Sequence, residues 1–370
     1  MTARPSIPLS VLDLAPISSG ATPAQALQNT LQLARLADAL GYHRYWLAEH
    51  HLSDGLACSA TPVVIGQVAA ATARIRVGSG ATLLGYQTPL SVAENFGTLD
   101  AFFPGRIDLG LGRGAASPRR TPAEGEPWPE ARVVRGLLIP SPPVPVRQVA
   151  ARRREGDALL RLPGAQPLGF AESVERIFGL IEGVPGSQGE GGLRATPGER
   201  AQLQIWVLGS SAGESASVAA ARGLPFAANY HVSPATVLDA VEAYRSAFRP
   251  SATLSRPHVM VSADVVVADD DARARDLAQP YGAWVQSIRK GAGAIPYPSA
   301  RQARAISLED ALVRDRIDTQ FVGSPETVVR GLETLCEATG ADELVITTNA
   351  HRHADRLRSY ALLWRAWRRR

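Results

Sequence analysis

Short apolar runs alternate along the chain with longer stretches whose apolar residues recur at helical spacing. Runs that are apolar on both faces read as parallel strands, and the intervening stretches as helices packed against them. Segments 9–16, 45–51, 75–84, 106–112, 204–209, 225–230, 258–268 and 343–348 are the expected strands. Helices are expected over 23–40, 60–73, 90–103 and 171–181, with another running to Arg222. The first helix has the clearest punctuation: Thr22 as N-cap, Pro23 in the first turn and Gly41 just past the end. Eight strands with helices between them predict a closed α/β architecture, the (β/α)8 TIM barrel. An open doubly wound sheet fits less well, because it would leave edges and normally carries a dinucleotide fingerprint. Gly110-Leu111-Gly112-Arg113-Gly114 only mimics that fingerprint, since its third glycine is misplaced and no helix follows.

Two connections exceed an ordinary strand-to-helix loop, one after the fourth strand (115–169) and one after the seventh (279–307). The first is irregular and rich in Pro, Gly and Arg, and the second is expected to be a lid. Both leave C-terminal strand ends, where barrel enzymes build their sites. The whole of 1–370 is read as one domain.

Composition narrows the class. At 45% hydrophobic and 20% charged, the chain can bury a large core and is not disordered. A net charge of +4 is mild and gathers partly at 365–370, where a solvated helix end accounts for it better than nucleic acid. Cys58 and Cys336 stand far apart and outside any metal-binding spacing, so both are expected in the core. No secretory leader and no long apolar span are visible, and a cytoplasmic enzyme is expected.

Candidate chemistry gathers at strand ends. Glu49-His50-His51 closes the second strand, and alternation aims one histidine at the barrel mouth, where imidazole can move a proton near neutral pH. His43, His231, His258, His351 and His353 show no helical pairing with these two, so no metal is expected. Gly78-Ser79-Gly80-Ala81 would let a flat ring approach the backbone. Arg113 offers a fork for phosphate, and Ser210-Ser211-Ala212-Gly213-Glu214 joins the fifth strand to a helix start, a geometry suited to a phosphate monoester.

Taken in order, the segments IPLSVLDLAP from Ile7, LARLADALGYHRYWLAEHH, ATARIRVGSGATLL, ENFGTLDAFFPGRIDLGLGRG ending at Gly114, and LQIWVLGSSAGESASVAAARGLPFAANYH resemble the bacterial luciferase-like monooxygenases, with a weaker return at FVGSPETV from Phe321. The likeness is to the single-chain subgroup similar to the alkanal monooxygenase α-chain. It implies FMN across the barrel mouth, reduced by a separate flavin reductase, and oxygen inserted into a small organic substrate. His50 then matches the histidine beside the flavin's reactive carbon, with Glu49 and His51 next to it. Gly80-Ala81 matches a frequent non-proline cis peptide against the ring, and Glu94 an acid behind it. Arg113 and residues Ser210 to Glu214 match the phosphate site, while Tyr230 and His231 are expected to line the substrate. A homodimer is implied, and high Ala, Arg and Pro usage fits a role in secondary metabolism. Two other readings stay open: a deazaflavin-dependent hydride-transfer enzyme on the same barrel, and a non-catalytic flavin-binding protein.

Overall fold

The computed structural model describes residues 7–114, 129–143, 155–183 and 194–369. Its strands, in chain order, are β1 (Leu9–Asp13), β2 (Arg44–Leu47), β3 (Arg76–Ser79), β4 (Thr82–Leu83), β5 (Ile107–Gly112) and the pair β6 (Arg132–Val134) and β7 (Leu137–Ile139). They continue with β8 (Gln204–Gly209), β9 (Phe226–Asn229), β10 (Val259–Val267), β11 (Phe321–Gly323) and β12 (Glu343–Thr347). Eight of them pair in parallel in the cyclic order β1-β2-β3-β5-β8-β9-β10-β12 and back to β1, which closes the expected (β/α)8 barrel.

The first helix forms as its punctuation predicts, over Pro23–Leu40, with a reciprocal Thr22–Gln25 capping box and Gly41 at φ 92°. The first two strands are markedly shorter than their apolar runs, because the last residues of those runs leave the ladder and become rim loops, whereas β8 spans its whole run. The third run breaks at a cis Gly80–Ala81 peptide, after which β4 pairs separately with β5.

Alternation sorts the barrel side chains into two shells. Val11, Tyr45, Leu47, Val207, Phe226, Val261 and Ile346 point outward into the layer shared with the helices. Leu12, Trp46, Trp206, Ala227, Met260 and Val345 point into the lumen and fill it. Beneath them, at the N-terminal end, lies a buried charged floor. Arg44 donates to Asp108 at 2.8 Å and to Glu343 at 3.1 Å, and Arg76 bonds Asp108 at 2.7 Å. Ser10 donates to Glu343 at 2.5 Å, the Trp46 indole donates to Asp108 at 2.9 Å, and Arg44 also bonds Gln204. Each of Ser10, Arg44, Arg76, Asp108, Gln204 and Glu343 lies in the first turn of pleat of its strand, so the ring is built one residue per strand.

The two long connections turn out differently from each other. In the first, 115–128 and 144–154 fall outside the described residues, as do the arginine groups at 119–120 and 152–154. Its described parts are the β6–β7 hairpin and a helical stretch at 155–160. The second is not a plain loop: it contains the helix Tyr281–Arg289, a strap over 294–297 and the short helix Ala300–Arg304. The strap is stitched across the β1 and β2 ends by Gly55 N–H to the Ala294 carbonyl (2.7 Å), Tyr297 N–H to the Ile17 carbonyl (2.7 Å) and Ser19 N–H to the Tyr297 carbonyl (2.9 Å). Cys58 and Cys336 are buried free thiols, as expected. Among the described residues no helix is long and apolar enough to cross a membrane, and no cluster suited to a metal ion occurs.

Candidate active site

The rim at the C-terminal strand ends collects most of the residues singled out from sequence. Glu49 is buried, and its carboxylate accepts from the Leu83 backbone N–H at 3.1 Å and contacts His51 Nε2 at 2.8 Å. The acid therefore joins the end of β2 to the segment following the Gly80–Ala81 peptide. Gly80 itself donates its N–H to the Leu47 carbonyl at 2.8 Å, and a Cβ there would stand 2.8 Å from Leu12 Cδ1 and 3.2 Å from Trp46. Only glycine lets this wall lie against the aromatic layer. A Cβ on Gly112 would likewise stand 2.9 Å from that of Ala81, so the β3 and β5 ends form a flank of minimal side chains.

His50 continues the inward alternation of β2. Its backbone N–H bonds the Cys58 carbonyl at 2.9 Å, while its ring Nδ1 is buried with no hydrogen-bond partner. Burial pushes its pKa down to about 4, helped by the neighbouring His51. His231 also faces inward, held through Nδ1 by Ser262 Oγ at 2.6 Å. Its pKa falls to about 3, from burial first and then from Arg316 and His50. Both imidazoles are thus neutral at pH 7, and they enter the lumen from β2 and β9, strands on opposite sides of the barrel.

Tyr230 does not accompany His231. It points into the outer shell, where its hydroxyl donates to the Leu138 carbonyl at 2.8 Å and its ring lies 6.0 Å from Phe321. Neighbouring residues of an extended segment face opposite sides, so only one of the pair can line the lumen. Glu94 is half-buried on the outer helix Pro89–Phe102; among the described residues no hydrogen bond or ion pair links its carboxylate to the rim.

Arg113 directly follows β5, and the Ser210–Gly213 turn directly follows β8, the next strand in the barrel. Gly213 caps the helix Glu214–Ala221 without any side-chain acceptor on its first amides. The Thr236 hydroxyl fixes the turn by donating to the Ser210 carbonyl. Glu214 turns aside, its carboxylate accepting at 3.4 Å from the Ala171 N–H of the helix Phe170–Glu182.

Sequence reading overlooked a second polar group beside His231. Asp264, two residues beyond Ser262 on the same face of β10, accepts from the Tyr281 hydroxyl and from Arg316 Nη2 (3.1 Å). Arg316 Nε in turn donates to the Tyr281 oxygen at 3.0 Å. Burial pushes the Asp264 carboxyl up despite Arg316. Thr347, Thr348 and Asn349, at the β12 end, carry buried side-chain oxygens without partners. The signal was there: polar residues at alternate positions in the apolar run VMVSADVVV, and at the end of ELVITTN.

Part of the first long connection reaches this rim. The Tyr86 hydroxyl donates to Asp157 at 2.6 Å, Arg161 donates to the Gly85 carbonyl at 3.2 Å, and the Tyr86 and His51 rings meet edge to face at 6.2 Å. The helical stretch at 155–160 thereby walls the mouth beside Glu49 and His51.

A closed parallel barrel whose buried imidazoles and small-residue flank sit at the C-terminal rim has the build of a barrel enzyme with its site at the strand ends. The sequence profile of luciferase-like monooxygenases matches residues 7–133 and 166–343. Protein YvbT of Bacillus subtilis is 37% identical over 98% of this chain and 97% of its own length. A luciferase-like monooxygenase of Escherichia coli K12 is 34% identical over 96% of both chains. The crystal structure of apo-MsnO8 superimposes with a TM-score of 0.79 at 33% identity, covering 98% of each chain. The chain belongs to the luciferase-like monooxygenase family.

Proposed function

We propose that the protein is a flavin-dependent monooxygenase that binds reduced FMN at the barrel mouth and inserts one atom of O2 into a small organic substrate. The observation that carries this reading is His50: a neutral imidazole whose buried Nδ1 lacks a partner, next to the side-chain-poor Gly80–Ala81 flank. The residues fit the cofactor. A flat heteroaromatic ring can lie on that flank, and the unpartnered polar atoms of His50, Thr347 and Asn349 match its donors and acceptors. Arg113 and the Ser210–Gly213 turn, on adjacent strands, would hold its phosphate. Family membership supports the reading.

When bound, reduced FMN supplies the electrons that activate oxygen. His50 holds or moves a proton at Nδ1, Glu49 fixes His51 and the Leu83 backbone beside it, and the Trp46–Trp206 layer keeps water from below. Reduction of the flavin by a separate reductase belongs to this reading, as does a cytoplasmic, single-domain enzyme. So does a homodimer, supported by exposed apolar residues on two adjoining helices: Val63 on Thr61–Ala71, and Leu90 and Phe102 on Pro89–Phe102.

Anaerobic titration with photoreduced FMN, followed by admission of oxygen, tests the proposal. Saturable binding and His50-dependent oxygen consumption are expected, with His50→Ala lowering turnover about 100-fold at saturating reduced FMN. Full turnover in that variant removes the role given to His50. Binding of reduced deazaflavin in place of FMN, without oxygen uptake, overturns the monooxygenase reading.

A further inference from the structure

Arg316 lies outside the eight barrel strands, on the helix Asp310–Asp318, yet its guanidinium reaches the lumen. Its Nε and Nη2 are committed: Nε to the Tyr281 oxygen (3.0 Å), and Nη2 to that oxygen (2.5 Å) and to Asp264 (3.1 Å). The remaining amino group, Nη1, makes no hydrogen bond and is not among the wholly buried polar atoms that lack partners, so it faces accessible space. The groups around it belong to the mouth. Asp264 and Ser262 share the inward face of β10, and Ser262 holds His231. The charge of Arg316 is felt at His231, which in turn feels His50. The Tyr281 and Trp284 rings, 6.1 Å apart, and the Trp284 and Tyr297 rings, also 6.1 Å apart, continue from the fork as an aromatic wall.

We propose that Arg316 is a substrate-orienting residue, whose Nη1 donates to the carbonyl oxygen of a neutral aryl or alkyl carbonyl compound seated against Trp284. The inference rests on the mouth being the site of reaction, but not on which flavin is bound there. A guanidinium held on two of its three nitrogens has already lost its rotational freedom, so a third contact is made without further ordering. Charge selects the ligand class. The Arg316 cation is matched by Asp264 at 3.1 Å, His231 and His50 are neutral, and among the described residues no second cation is paired with this group. A buried carboxylate would lack a countercharge there, whereas a carbonyl needs only a donor. The donor lies beside His231, across the lumen from His50, so it would hold the carbonyl compound in the space between the two imidazoles.

The test is binding of three probes of similar shape to the full protein without flavin, followed by tryptophan fluorescence: acetophenone, ethylbenzene and benzoate. Acetophenone is expected to bind about tenfold more tightly than the other two, with the carbonyl 13C resonance of labelled acetophenone shifted downfield on binding. Arg316→Met strands Asp264 and can fail to fold, so Arg316→Met/Asp264→Asn, which replaces the ion pair by neutral groups, is compared alongside Arg316→Lys. In the double variant the preference for acetophenone over ethylbenzene and the downfield shift should both disappear, while ethylbenzene affinity stays unchanged. A preference or shift that survives in the double variant overturns the proposal. So does tighter binding of benzoate than of acetophenone, or failure of wild type to bind any of the three. Loss of reduced FMN binding with the acetophenone result intact would instead remove the cofactor reading and leave this one standing.

Discussion

At the residue scale, the mouth is governed by groups kept neutral by burial. His50 and His231 titrate near pH 4 and 3 in the folded chain, against about 6.5 when exposed. As pH falls below about 6.5 the unfolded chain takes up protons first, so the stability these residues contribute is present above that pH and is lost toward pH 4. The slope is at most about 1.4 kcal/mol per pH unit for each histidine. Melting temperature should therefore fall between pH 7 and pH 5, and His231→Asn should flatten the fall; an unchanged slope in that variant would show that His231 is not held neutral. That Glu49, His50, Gly80 and Arg113 gather at the rim was legible from chain position alone. Tyr230 and His231 were both expected at the substrate, but alternation continues past the end of β9, so Tyr230 follows Phe226 and Ala228 into the outer shell and only His231 faces inward. Arg316 left no mark, since a helical arginine among other arginines carries no period or spacing that points inward.

At the scale of elements, the ends of the first helix were readable, while the ends of the first two strands were not. Thr22, Pro23 and Gly41 are local chemistry, fixed by a few consecutive residues. A strand ends where its partner across the ladder ends, which depends on a segment far away in sequence. The same reason hid the strap over 294–297: its partners Gly55, Ile17 and Ser19 lie more than two hundred residues earlier. Gly55 makes that seat possible, because a Cβ there would stand 2.0 Å from the Ile295 carbonyl oxygen. Gly55→Ala should lift the strap, lowering stability by about 1–3 kcal/mol and exposing the segment to protease. Wild-type resistance to proteolysis in the variant would show that the strap tolerates the displacement.

At the scale of the molecule, the closed barrel was visible as eight spaced apolar runs, while its floor was not. Ser10, Arg44, Arg76, Asp108, Gln204 and Glu343 each look like an ordinary polar strand start; only closure gathers them into one network around the buried Arg44, Asp108 and Glu343. Arg44→Met would leave Asp108 and Glu343 short of their shared countercharge, and a loss of about 3–5 kcal/mol is expected, read by denaturant unfolding. A milder loss would mean that Arg76 and His258 take over the pairing. For the proposed homodimer, Val63→Glu with Phe102→Glu should convert the sedimenting species to monomer; a wild type that sediments as monomer removes the dimer, and unchanged sedimentation of the variant removes this interface.

The aromatic layer above that floor turns the lumen into a vessel with one opening. Leu12, Trp46, Trp206, Met260 and Val345 stop it below, so nothing can pass through to the far side. Two molecules that must meet inside, one seated deeper than the other, then load in a compulsory order, the deeper one first. The shallower has to leave before the deeper can, and the sequence of arrival and departure is set by the shape of the container before any affinity is considered.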